Sequence, residues 1–111
     1  MTNIRRSESA TFIQQESYRA RNERERKLMQ AFLSCKNEKE MSALLRDLLT
    51  FSEIVEFANR LEMARLLKRG HSYQEVADKI GVSTTTVTRV AHWLFQGCGG
   101  YWKTLKKLHQ E

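Results

Sequence analysis

A chain of 111 residues with no proline and five glycines has room for one core of ordinary size and excludes two. Nineteen lysines and arginines against thirteen acids leave a formal charge of +6, which suits a polyanionic partner without specifying a fold. Apolar runs of only a few residues exclude a membrane span, and the start MTNIRRSESATF lacks a signal peptide's apolar core, so a soluble cytoplasmic protein is expected.

Every long periodic segment repeats at 3.6 residues and none alternates at period two, so the expected fold is all-α. Residues 10–34 carry Ile13, Ser17, Ala20, Leu28, Ala31 and Phe32 on a loose helical stripe. Arg19 to Lys27 holds seven charges in nine residues, read as a solvated helix face, with a nucleic-acid-binding arm as the other reading. Asn37-Glu38-Lys39-Glu40 is a helix start, an acceptor side chain followed three residues later by a glutamate. Met41, Leu44, Leu45 and Leu48 then share one face. Thr50-Phe51-Ser52-Glu53 repeats that start and opens the longest helix, roughly residues 51–69. Its face of Ile54, Phe57, Ala58, Leu61, Ala64 and Leu67 is widened by Val55, Met63 and Leu66, more than one neighbouring helix covers. Gly70 ends it, where a left-handed residue is free of strain.

Ser72-Tyr73-Gln74-Glu75 is a third start, for a short helix to Ile80; Gly81-Val82-Ser83 follows, and Ser83 caps a helix reaching Gln96. Beyond the glycine cluster at 97–100, a last helix turns Tyr101, Trp102, Leu105 and Leu108 inward and Lys103, Lys106 and Lys107 outward. Six helices result, in two parts: residues 1–36 as a charged helix or arm, and residues 37–111 as a helical domain.

Residues 73–92 carry the functional signal. Two helices joined by a three-residue turn cross at a steep angle only if a small residue lies at the crossing, and Ala77 fills that place. The turn needs a residue that tolerates positive φ, and Gly81 stands four residues later. Val87 points back from the second helix, with Val76, Ile80, Val82 and Val90 filling the small core. This is a helix-turn-helix pattern at residues 72–96. The outward positions of its second helix are Thr84, Thr85, Thr88, Arg89 and His92, and no acid occurs between Asp78 and Glu111.

Leu48-Leu49-Thr50, Arg60 ten residues on, Leu66-Leu67-Lys68-Arg69-Gly70, Gly81 and Thr86-Val87-Thr88-Arg89 together resemble the trp repressor superfamily, over roughly residues 44–108. The segment SYQEVADKIGVSTTTVTRV is more similar to the YerC/YecD branch than to the trp repressor itself. The resemblance implies an intertwined six-helix homodimer with reading helices one DNA turn apart, about 34–36 Å. It implies a sequence-specific DNA-binding transcriptional regulator, a repressor, whose partner is a double-stranded operator. Ser83, Thr84, Thr85 and Thr88 are expected at base edges, Gln74 and Lys79 at backbone or bases, and Lys68 and Arg69 at phosphates. Arg89 is a DNA contact or a ligand contact. An RNA-binding or protein-interaction helical module is the alternative, with Lys103, Lys106 and Lys107 as its stripe.

The family's amino-acid corepressor is held by a threonine and two arginines, matched here by Thr50, Arg60 and Arg89. Yet Val90 stands where the trp repressor has glycine, and Trp93 where it has serine. Two large side chains in the indole slot imply that the protein fills its own pocket. DNA binding without tryptophan, and no cofactor, is therefore the expectation; tryptophan or another small corepressor is the alternative. His71, His92 and His109 have no metal-ligand spacing, Cys35 and Cys98 read as free thiols, and no catalytic arrangement supports an enzyme.

Overall fold

The computed structural model describes residues 12–109. Among them are six α-helices and no strand: α1 Glu23–Ser34, α2 Glu38–Leu48, α3 Phe51–Lys68, α4 Tyr73–Ile80, α5 Thr84–Gln96 and α6 Gly100–His109. The described residues form two compact units. One is Tyr18–Phe57, and the other joins residues 12–17 to residues 58–109.

Helix α1 begins at Glu23, well after the start of the periodic stripe at residue 10; residues 10 and 11 lie outside the described residues. The cause is local. Asn22 has extended backbone, φ −158°, and its side chain accepts from the Glu25 N–H at 2.9 Å, which fixes the first turn there. Upstream, the Ile13 and Glu16 amides bond elsewhere in the fold and are not available to a helix ladder.

In the Tyr18–Phe57 unit the start of α1 is fastened by Tyr18, Arg21 and Glu25. The Tyr18 hydroxyl donates to the Glu25 carboxylate, and Arg21 donates from Nε at 2.8 Å and from its backbone N–H at 3.0 Å. The Arg21 guanidinium, then the Tyr18 hydroxyl, hold the Glu25 carboxyl down at about 2. The same start pattern recurs at α2, where Asn37 accepts from the Glu40 N–H at 2.9 Å. At α3 the Thr50 hydroxyl accepts from the Glu53 N–H, while the Glu53 carboxylate accepts from the Thr50 N–H. Arg46 lies over the Phe51 ring, 3.7 Å from its centroid. No residue of α1 or α2 is buried, so the face of Met41, Leu44, Leu45 and Leu48 is not a core within the chain.

The other unit holds the core. Met63, Ala64, Leu66 and Leu67 of α3 meet Val76 and Ala77 of α4, Val87, Val90, Ala91 and Leu94 of α5, and Leu105 of α6. Each fully buried aliphatic side chain among them contributes about 1.5–3 kcal/mol over its exposed state. Tyr73, Ile80, Val82, Phe95, Tyr101 and Trp102 close the edges. Burial pushes the Tyr101 hydroxyl pKa up, while the Arg60 charge pulls it back. Leu108 departs from expectation: it is 61% exposed, one turn beyond the buried Leu105. The first half of α3 also stays open, with Val55 and Phe57 exposed where a buried face was expected.

Candidate nucleic-acid interface

The pair α4–α5 is built by its ends. Ser72 and Glu75 form a reciprocal capping box: the Ser72 hydroxyl accepts from the Glu75 N–H at 3.1 Å, and the Glu75 carboxylate accepts from the Ser72 N–H at 2.8 Å. The Ser72 amide holds the Glu75 carboxyl below its ordinary value. At the other end Gly81 sits at φ 83°, and the Gly81 and Val82 amides both donate to the Ala77 carbonyl, at 2.8 and 3.1 Å. The chain is thereby turned within three residues, and the Ser83 hydroxyl accepts from the Thr86 N–H at 3.2 Å to open α5. Ala77 is 3% exposed and Val87 fully buried.

The outer surface of this pair is polar. Thr84, Thr85, Thr88 and Arg89 are exposed on α5, which has no acid in its first turn. The Thr84 and Thr85 side chains and the Arg89 guanidinium bond to no other described residue. Thr88, also exposed, donates its hydroxyl to the Thr84 carbonyl at 2.9 Å. Ser83 is engaged as the cap and shares a hydrogen bond with the Thr86 hydroxyl at 3.1 Å. On α4, Gln74 donates to the Asp78 carboxylate at 2.8 Å, and Lys79 is exposed in the last turn. At the end of α3, Arg69 is exposed, whereas Lys68 is half-buried with Nζ 4.9 Å from the centre of the Trp102 ring.

Thr50, in the Tyr18–Phe57 unit, caps α3; Arg60 and Arg89 are exposed in the other unit. Of the two large residues expected to fill an indole slot, only Val90 is buried within the chain. Trp93 is 49% exposed, with the His92 ring edge-on at 5.0 Å. The reason is register: Trp93 lies one turn beyond Arg89 on the outward side of α5, while Val90, Ala91 and Leu94 face the core. Among the described residues no three histidine, cysteine or acidic side chains gather as metal ligands, and no helix is long and apolar enough to cross a membrane.

Sequence reasoning misses Phe12, Ile13 and the central place of Trp102. Phe12 stacks on Trp102 at 6.1 Å, and the Ile13 N–H donates to the Phe95 carbonyl at 3.0 Å. No local pattern announces a pairing between residues so far apart in the chain.

Residues 23–109 match the family Trp repressor protein, a stretch that begins at the first residue of α1. The chain belongs to the trp repressor family. This family member is 35% identical over 83 residues to the uncharacterized protein YerC of Bacillus subtilis strain 168, covering 75% of this chain and 80% of YerC. It is also similar to the crystal structure of a TrpR-like protein from Eubacterium eligens, with a TM-score of 0.76 and 32% identity. That likeness covers 80% of this chain and 92% of the other.

Proposed function

We propose that this trp repressor family member is a cytoplasmic, sequence-specific DNA-binding transcriptional regulator, a repressor rather than an enzyme. In this reading residues 72–96 are a helix-turn-helix, α5 enters the major groove, and residues 1–36 are a charged helix or arm preceding the helical domain of residues 37–111. The observation that carries it is the acid-free outer face of α5, where Thr84, Thr85 and Arg89 project from a helix fixed by a capped start and a left-handed Gly81. Threonine offers a hydroxyl to several bases and a methyl to thymine, so direct readout is modest and DNA shape supplies part of the selectivity. Ser83 and Thr88 border that face, and the free amides at the start of α5 favour a phosphate. Gln74 and Lys79 flank it from α4. Arg69, with Lys68 beside it, neutralises phosphates.

The regulator works as a homodimer. In the Tyr18–Phe57 unit, Leu33 at 85% exposure and Phe51 at 68%, with Leu28, Met29 and Val55, leave large apolar side chains uncovered. Sedimentation equilibrium at micromolar concentration is expected to give twice the 13.0 kDa chain mass. A well-folded 13.0 kDa monomer would contradict this.

Genomic selection of DNA fragments bound by the purified protein tests the function and yields the operator. On that operator, Thr85→Ala should change the preferred base at one position, costing about 1–3 kcal/mol there. Arg69→Ala should weaken operator and scrambled duplexes alike and lower the salt slope by about one. Adding L-tryptophan should change neither affinity, because Val90 takes core space and Thr50 serves as a cap. Loss of preference in Arg69→Ala with uniform weakening in Thr85→Ala would reverse the proposed docking.

A further inference from the structure

A helix leaves its last four carbonyls without partners of its own. At the end of α5 the cap residue Gly97 has φ −93° and ψ −145°, outside the left-handed region of a usual glycine cap. A Cβ there would lie 2.3 Å from the Trp93 carbonyl oxygen, so the chain leaves the helix too closely for a side chain. Two donors come from the N-terminal segment. The Ile13 N–H donates to the Phe95 carbonyl at 3.0 Å, and the Glu16 N–H to the Gly97 carbonyl at 3.4 Å.

Phe12 anchors this segment. Its ring stacks on Trp102 at 6.1 Å and 26°, beside Gly99, where an added Cβ would come within 3.1 Å of it. Trp102 also meets the Phe95 ring at 6.0 Å and carries the Lys68 ammonium 4.9 Å above its centre. One indole thus ties the N-terminal segment, α5, α6 and the end of α3.

We infer that residues 12–17 are a strap that caps α5 from the far end of the chain, with Phe12 as the positioning residue that aims α5 at DNA. The inference rests on the reading of α5 as the DNA-facing helix. Thirteen residues make a rod about 20 Å long, and a stiff rod is aimed by both of its ends. The Gly81 turn and Ser83 fix one end, and the strap and Trp102 fix the other. Base-edge contacts need close geometry, whereas phosphate attraction tolerates displacement. Release of the strap therefore lowers discrimination more than general affinity.

The test uses the full chain and three variants: Phe12→Ala, Phe12→Tyr, and Ile13→Pro, which removes the amide donor but keeps the ring. Amide hydrogen exchange at Ile13, and binding to the selected operator and a scrambled duplex, are measured where circular dichroism shows each variant folded. Phe12→Ala should lower Ile13 protection about tenfold or more. It should weaken operator binding about five- to tenfold and scrambled-duplex binding less than twofold, with Phe12→Tyr restoring both values. Ile13→Pro should reproduce the operator loss. Unchanged discrimination in folded Phe12→Ala would overturn the strap's role while leaving DNA binding intact. An unprotected Ile13 amide in the wild type would overturn it independently of any DNA measurement. Absence of binding to every duplex would instead overturn the reading of α5.

Discussion

Leu94→Ala should remove about 2–5 kcal/mol of stability, the range for truncating a fully buried leucine. Leu94 is completely enclosed on α5, in the same cluster as Leu67, Leu105, Met63, Val76 and Val87. Truncation forfeits the transfer of three carbons from water and leaves a void that close-packed neighbours fill only in part. A domain of this size has only about 5–15 kcal/mol in hand, so the variant should melt far below the wild type. Thermal and urea unfolding of wild type and variant at one fixed protein concentration measures it. A loss under about 1 kcal/mol would mean that Leu94 is not at the centre of the core.

Gly81→Val should cost of order 1–3 kcal/mol in the turn alone and should abolish selective DNA binding. The cost is one of backbone conformation. A Cβ on Gly81 meets nothing within 4 Å, so no clash contributes; the strain comes from forcing a β-branched residue to φ 83°. Gly81→Asn should recover much of the loss, because asparagine tolerates left-handed backbone. The effect on DNA is the larger one, since the amides of Gly81 and Val82 on the Ala77 carbonyl set the angle at which α5 leaves the turn. Melting temperature and operator affinity of both variants decide the matter. Valine behaving like asparagine would exclude a strained turn.

Much of this architecture is written locally and so is readable from sequence. Thr50, Ser72 and Ser83 cap the helices they announce, Gly81 takes the positive φ its place in the turn suggests, and Ala77 and Val87 are buried. The same signal at Asn22-x-x-Glu25 marks the true start of α1, but the apolar stripe through Ile13 and Ala20 hides it. Contacts that depend on distant segments stay illegible. Ile13 carries an exposed side chain and matters through its amide, and the Lys68 ammonium lies over the ring of Trp102, 34 residues on in the sequence. Periodicity likewise finds the apolar faces of α1–α3 without saying what covers them. Trp93 shows the same limit: its size suggests a plug, and only its register on α5 shows that it points outward.

If α5 reads DNA as proposed, an NMR titration of the labelled full chain with the selected operator duplex shows it most directly. The amides and threonine methyls of Ser83 to Arg89 should shift most, with smaller changes at Gln74, Lys79 and Arg69. Shifts concentrated instead on Lys103, Lys106 and Lys107, with Thr84 and Thr85 unmoved, would contradict it.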